Sequence, residues 1–186
     1  MKTSDRKQTA YHEAGHAVAH IRLDIYQEKA TIKRNPGILD SVEAEGKNHV
    51  WKDENAKKWA LCYCAGIEDA EKRAICYCAG YAAFIVLGYS DEDAILDADD
   101  DMENAYELIQ FWLLPGALDE WKQKSIALLS SPENIRAVEA IAKALLKYET
   151  LEWEYMEQLI ELTDGNITEV EWFQFLSFRY PEILTG

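Results

Sequence analysis

From Arg6 to about Leu23 apolar residues return every three to four positions, without a proline, behind the cap-forming Thr3-Ser4-Asp5. That spacing predicts a first helix. The period then shortens. Ala30-Thr31-Ile32-Lys33 is a β-prone run closed by the turn sequence Asn35-Pro36-Gly37, and reads as one strand of a small sheet. Ile38 to Trp51 is polar and Gly-containing, and fits either a loop or a second short strand. Helical spacing resumes from Asp53 to Leu87. An acidic stretch, Ser90 to Glu103, leads into a helix that Pro115-Gly116 stops near Leu114. Further helices are predicted over Ala117–Leu129, from Pro132 (behind a Ser131 cap) to Tyr148, and over Leu151–Leu162. Asp164-Gly165-Asn166 reads as a turn, and Thr168 with Glu171 forms a capping box for a last helix. The class implied is mainly α, with a small β element after the first helix.

The chain has 186 residues, six of them Trp, and nearly half are apolar, enough for one ordinary domain with a real core. A net charge of −15 argues against nucleic acid as partner, since phosphate binding needs a basic patch. No basic leader followed by an apolar run opens the chain, so no secretory signal is expected, and the apolar stretch Ala79–Tyr89 is too short to span a bilayer. The four cysteines fall in two tight pairs, not along a disulfide framework. These features read as a soluble, reduced, cytoplasmic protein.

The chemistry concentrates in His12-Glu13-Ala14-Gly15-His16. Residues four apart share one helix face, so His12 and His16 aim two imidazoles at one point, where zinc accepts nitrogen ligands. Glu13 beside the first ligand is placed to act as the general base of a zinc hydrolase, and the small Ala14 and Gly15 leave room for close packing. His20 lies on the same face about 6 Å beyond His16 and would have to reach back past it, so a surface or supporting role suits it better. A catalytic zinc needs a third protein ligand. His49 has no motif around it; the run Asp97-Ala98-Asp99-Asp100-Asp101-Met102-Glu103 is the better source, although carboxylates at a helix start also favour the helix dipole. Residue types alone do not choose among them.

Thr9-Ala10-Tyr11-His12-Glu13-Ala14-Gly15-His16-Ala17-Val18 resembles the opening of the peptidase domain of the FtsH family, the ATP-dependent zinc metalloproteases. Ala30-Thr31-Ile32 is similar to that family's first strand, and Cys78-Ala79-Gly80-Tyr81-Ala82-Ala83 to its Gly-Gly-Arg-Ala-Ala-Glu-Glu helix. Asp101-Met102-Glu103-Asn104-Ala105-Tyr106-Glu107-Leu108 resembles the segment carrying the family's aspartate ligand, and Leu128 to Leu151, ending in Ala144–Leu151, its closing Leu-Leu-x-x-Glu-Thr-Leu helices. The resemblance implies zinc held by His12, His16 and Asp101, with Asp100 and Asp97 as neighbouring registers, and Glu13 as the base. It implies a metallopeptidase domain over residues 1–163, with residues 164–186 as a helical extension packed on it. Peptides or unfolded proteins would be the substrates, with a homo-oligomer or a separate ATPase as conceivable company. The chain departs from the family in lacking a Gly-rich phosphate loop, hence the ATPase module, and the membrane anchor; Phe84 stands where the family has Glu. A binding or regulatory domain that keeps the metal without turnover is the alternative, and a hydrolase of small amides a third.

One feature stands apart from this reading: Cys62-Tyr63-Cys64-Ala65-Gly66 recurs as Cys76-Tyr77-Cys78-Ala79-Gly80. Cysteines two apart on a helix point about 200° from each other, poor geometry for a shared metal, so core thiols are expected.

Overall fold

The computed structural model describes residues 3–33, 56–92, 94 and 98–181, with side chains for 6–33, 66–92, 94, 98 and 100–181. In chain order these form α1 (Thr3–Arg22), β1 (Lys29–Thr31), α2 (Ala56–Tyr77), α3 (Ala79–Val86), α4 (Asp99–Trp112), α5 (Leu118–Leu129), α6 (Pro132–Tyr148), β2 (Thr150–Glu152), α7 (Trp153–Asp164) and α8 (Glu169–Arg179). The chain is mainly helical with a small two-stranded sheet. None of the described helices is long and apolar enough to cross a membrane. The unassigned stretch Ile38–Trp51, with His49, lies outside the described residues.

The first helix is more deeply placed than its spacing suggests. From Thr9 to His20 every residue but Tyr11 is buried. Ala10, Ala14, Ala17, Val18 and Ala19 let α6 and α3 approach from different sides. At Gly15 the approach is closest: a Cβ there would meet the Ala79 carbonyl oxygen at 2.5 Å and Ala83 Cβ at 2.6 Å. The cost of this position is that Thr9, His12, Glu13, His16 and His20 are buried with the alanines. Buried polar groups need partners, so the polar face of α1 is where structure and chemistry meet.

The strand expected at Ala30–Lys33 is β1, and its partner is a second strand that the pattern had hidden between two helices. β1 and β2 run antiparallel, with Ala30 opposite Leu151 and Thr31 opposite Thr150. Glu149, in the left-handed region at φ 65°, ends α6 and turns the chain into β2, while its carbonyl accepts from Ile32 N at 2.8 Å. Three residues carry too little periodicity to be read as a strand.

Within the predicted helical run from Asp53 to Leu87 the described residues form α2, itself two helical pieces, and α3. α2 has a break at Gly66 (φ 77°, ψ 174°), and the chain turns at Cys78 before α3. Two of the caps read from sequence are present: Ser131 Oγ accepts from Asn134 N at 3.2 Å, and Thr168 and Glu171 bond reciprocally. Thr3-Ser4-Asp5, expected as the cap of the first helix, instead lies within α1. α8 seals one end of the core, with Trp172 5.2 Å from Tyr155 and stacked on Phe175, and Leu176 buried. Phe173 and Phe178, on its outer side, are exposed.

The buried apolar side chains fall into two clusters. One joins α1, α6, α7 and the sheet; the other joins α2, α4 and α5 around Trp121. Helix α3 serves both, giving Ala79, Ala82 and Ala83 to the first and Tyr81 and Phe84 to the second.

Candidate metal centre

Three potential ligand atoms meet where the two clusters adjoin. His12 and His16 come from successive turns of α1, and Asp101 from the first turn of α4. His12 Nε2 lies 2.9 Å from Asp101 Oδ2, His16 Nε2 3.0 Å from the same oxygen, and the two Nε2 atoms are 3.0 Å apart. Among the described residues this is the one group of three such side chains whose ligand atoms lie within 4.8 Å of one another. A tetrahedral zinc with bonds of about 2.0–2.1 Å holds its ligands about 3.3 Å apart. The observed triangle is a few tenths of an ångström tighter and needs little movement to accept an ion.

The electrostatics explain how the cluster holds in its ion-paired form. Burial drives the His16 imidazole towards neutrality, but the Asp101 carboxylate, its hydrogen bond, the Glu13 charge and the Cys76 carbonyl outweigh it and raise the pKa to about 9. Burial likewise favours the neutral form of Asp101, yet the two imidazoles hold its carboxyl well below the usual range. An imidazolium and a carboxylate thus satisfy each other, and a divalent cation would replace the shared proton with a stronger positive charge.

A second layer orients the rings. His16 Nδ1 donates to the Cys76 carbonyl at 2.8 Å, which leaves Nε2 facing Asp101. That carbonyl belongs to the last turn of α2, where helix carbonyls lack intrahelical partners. His12 packs edge-on to His16 at 4.7 Å and lies 6.2 Å from Phe84, which is fully buried. A Cβ on Gly80 would overlap three atoms of the His12 ring.

The remaining sequence candidates fall elsewhere. Glu13 is buried at 4% exposure beside the cluster. Asp100 is exposed and stands outside the group of three, and Asp97 lies outside the described residues. His20 is buried, not on the surface; its Nδ1 donates to the Ile25 carbonyl at 3.0 Å and closes the end of α1. Cys76 and Cys78 are free, buried thiols whose pKa burial pushes up to about 12, so they are inert packing groups; the side chains of Cys62 and Cys64 are outside the described set. What residue types did not signal is the Cys76 carbonyl, because a backbone acceptor leaves no mark in sequence.

No protein-family model matches the chain, and a search of curated proteins finds no match.

Proposed function

We propose that this chain is a zinc-dependent metallopeptidase domain, similar to the peptidase domain of the FtsH family. The observation that carries the reading is the convergence of His12, His16 and Asp101 from helices 85 to 89 positions apart in sequence. Two histidines and one carboxylate form a ligand set that catalytic zinc uses with a fourth position open. Bound there, zinc supplies a Lewis acid that polarises a carbonyl and lowers the pKa of water.

The chain's own residues supply the rest. His12 and His16 present Nε2, and Asp101 presents Oδ2, its side chain 20% exposed. Glu13, next to His12 and nearly water-free, takes the proton of the attacking water on its carboxylate and returns it to the leaving amine. Burial of Ala14, Gly15 and Phe84 around these groups excludes bulk water. β1 pairs with β2, and an extended peptide would add to the β1 edge through main-chain hydrogen bonds.

A second reading has an observation of its own. His12, Glu13 and His16 are each at most 5% exposed, and such closure also suits a metal that holds a regulatory or protein-interaction domain together. Glu13→Gln separates the two. Elemental analysis of the parent should give about one zinc per chain, retained in Glu13→Gln, while hydrolysis of an unfolded protein substrate falls by about 10²–10⁴-fold. A zinc-loaded parent without hydrolysis would favour the binding domain. A parent that takes up no zinc would remove both.

A further inference from the structure

The repeated Cys-Tyr-Cys-Ala-Gly segment has no role in the chemistry above, yet its second copy touches both histidines. We infer that Cys76–Gly80 is the positioning segment of the metal centre: the Cys76 carbonyl fixes the His16 ring, and Gly80 provides the space in which the His12 ring lies. The inference rests on the metal-site reading and adds to it a pair of positions outside the motif.

The two contacts have separate geometric causes. The turn at Cys78 ends α2 and leaves its terminal carbonyls available; Ala74 O accepts from Cys78 N, and Cys76 O is directed to His16 Nδ1. A carbonyl oxygen only accepts, so Nδ1 carries the proton and Nε2 presents its lone pair to an ion. After the turn, α3 runs past His12 with Gly80 against the ring. A methyl group at this position would overlap Cε1, Nδ1 and Nε2 together, and the ring would have to leave the triangle to make room. Phe84, one turn further along α3, borders the same ring.

The first copy shows that this depends on place, not on sequence. Gly66, the counterpart of Gly80, sits in the left-handed region at φ 77°, and a Cβ built on it meets nothing within 4 Å. The same five residue types break a helix in one copy and cradle a ligand in the other. Gly80 and the Cys76 carbonyl are therefore positioning groups that act through the histidines and do not touch the ion.

The test compares the parent and Gly80→Ala as they take up Co²⁺, whose visible absorption reports ligand geometry, with helical circular dichroism as the control. The expected result is unchanged helicity, Co²⁺ affinity about 10–100-fold lower and an altered visible band in the variant. A visible band in the parent that is identical in affinity and shape in a folded Gly80→Ala overturns this inference and leaves the metal centre standing. A parent with no band overturns the metal reading and this inference with it. Should Gly80→Ala fail to fold, ¹⁵N-histidine spectra of the zinc-loaded parent decide: a proton on His16 Nδ1 with the metal-shifted nitrogen at Nε2 supports the assignment, and the reverse tautomer overturns it.

Discussion

Around α1, α6 and α7 the aliphatic core is backed by polar ties between residues far apart in sequence. Arg22 grips both oxygens of Asp164 at 2.7 and 2.8 Å and donates to Asn134 at 2.6 Å, and Arg6 pairs with Glu149 at 2.7 Å. Around α2, α4 and α5 the ion pairs of Arg73 with Asp69 and Lys122 with Asp119 span a single helical turn, and the longer ties are the Ser125 hydroxyl donating to the Ile75 carbonyl at 3.1 Å and Asp101 paired with His12 and His16. There, too, the indole N–H of buried Trp121 has no acceptor among the described residues, although Lys124 lies over its ring. The first region is thus fastened by charged ties between distant positions. The second is fastened to it through α3 and through Asp101, which reaches the histidines of α1. A site placed at this junction joins two packing units as well as three ligands.

The largest test of that contrast is core truncation. Trp121→Ala should cost about 3–5 kcal/mol and Leu145→Ala about 2–5 kcal/mol in urea unfolding. Both side chains are fully buried, one in each cluster. A single transition is expected in both variants because α3 contributes to each cluster; two resolved transitions in either would make the regions separate domains. Next comes acid. The His20 pKa is lowered from 6.5 to about 4, by burial first and then by the His16 and Arg73 charges, its bond to Ile25 opposing. The unfolded chain then binds the proton more readily, so stability is complete above pH 6.5 and falls as pH drops towards 4, by about 3 kcal/mol from this group. His20→Gln should flatten that limb; an unchanged pH profile would mean His20 does not contribute.

Zinc at about a hundredfold excess over its dissociation constant should add about 2.7 kcal/mol. Hydrogen exchange should slow in α4 as well as α1 if the ion ties the two regions; protection confined to α1 would separate Asp101 from the site. Ser131→Ala, which removes the cap of α6, should cost about 1 kcal/mol and leave metal uptake unchanged. Reduced metal uptake in this variant would show that the first region controls the site at a distance.

Much of this was legible from residue spacing. The helix of His12 and His16, the caps at Ser131 and Thr168, and the stop at Pro115-Gly116 each follow from local rules that act within a few residues. Asp101 came forward among several carboxylates only by a family resemblance, because every aspartate of the run suits a helix start equally well. β2 was hidden for a related reason: Thr150–Glu152 has no pattern of its own and becomes a strand only because Lys29–Thr31 lies alongside.

The sequence by itself determined the elements, the two imidazoles on one helix face and a carboxylate-rich start to another helix. The tertiary structure decided which carboxylate meets the imidazoles, that α1 is buried on nearly all sides, and that one copy of a repeated segment cradles a histidine while the other does not. The physical reason is range. Helix periodicity and capping act over a few residues, whereas the contact between Asp101 and His12 joins positions 89 apart and depends on α2, which packs against both α1 and α4.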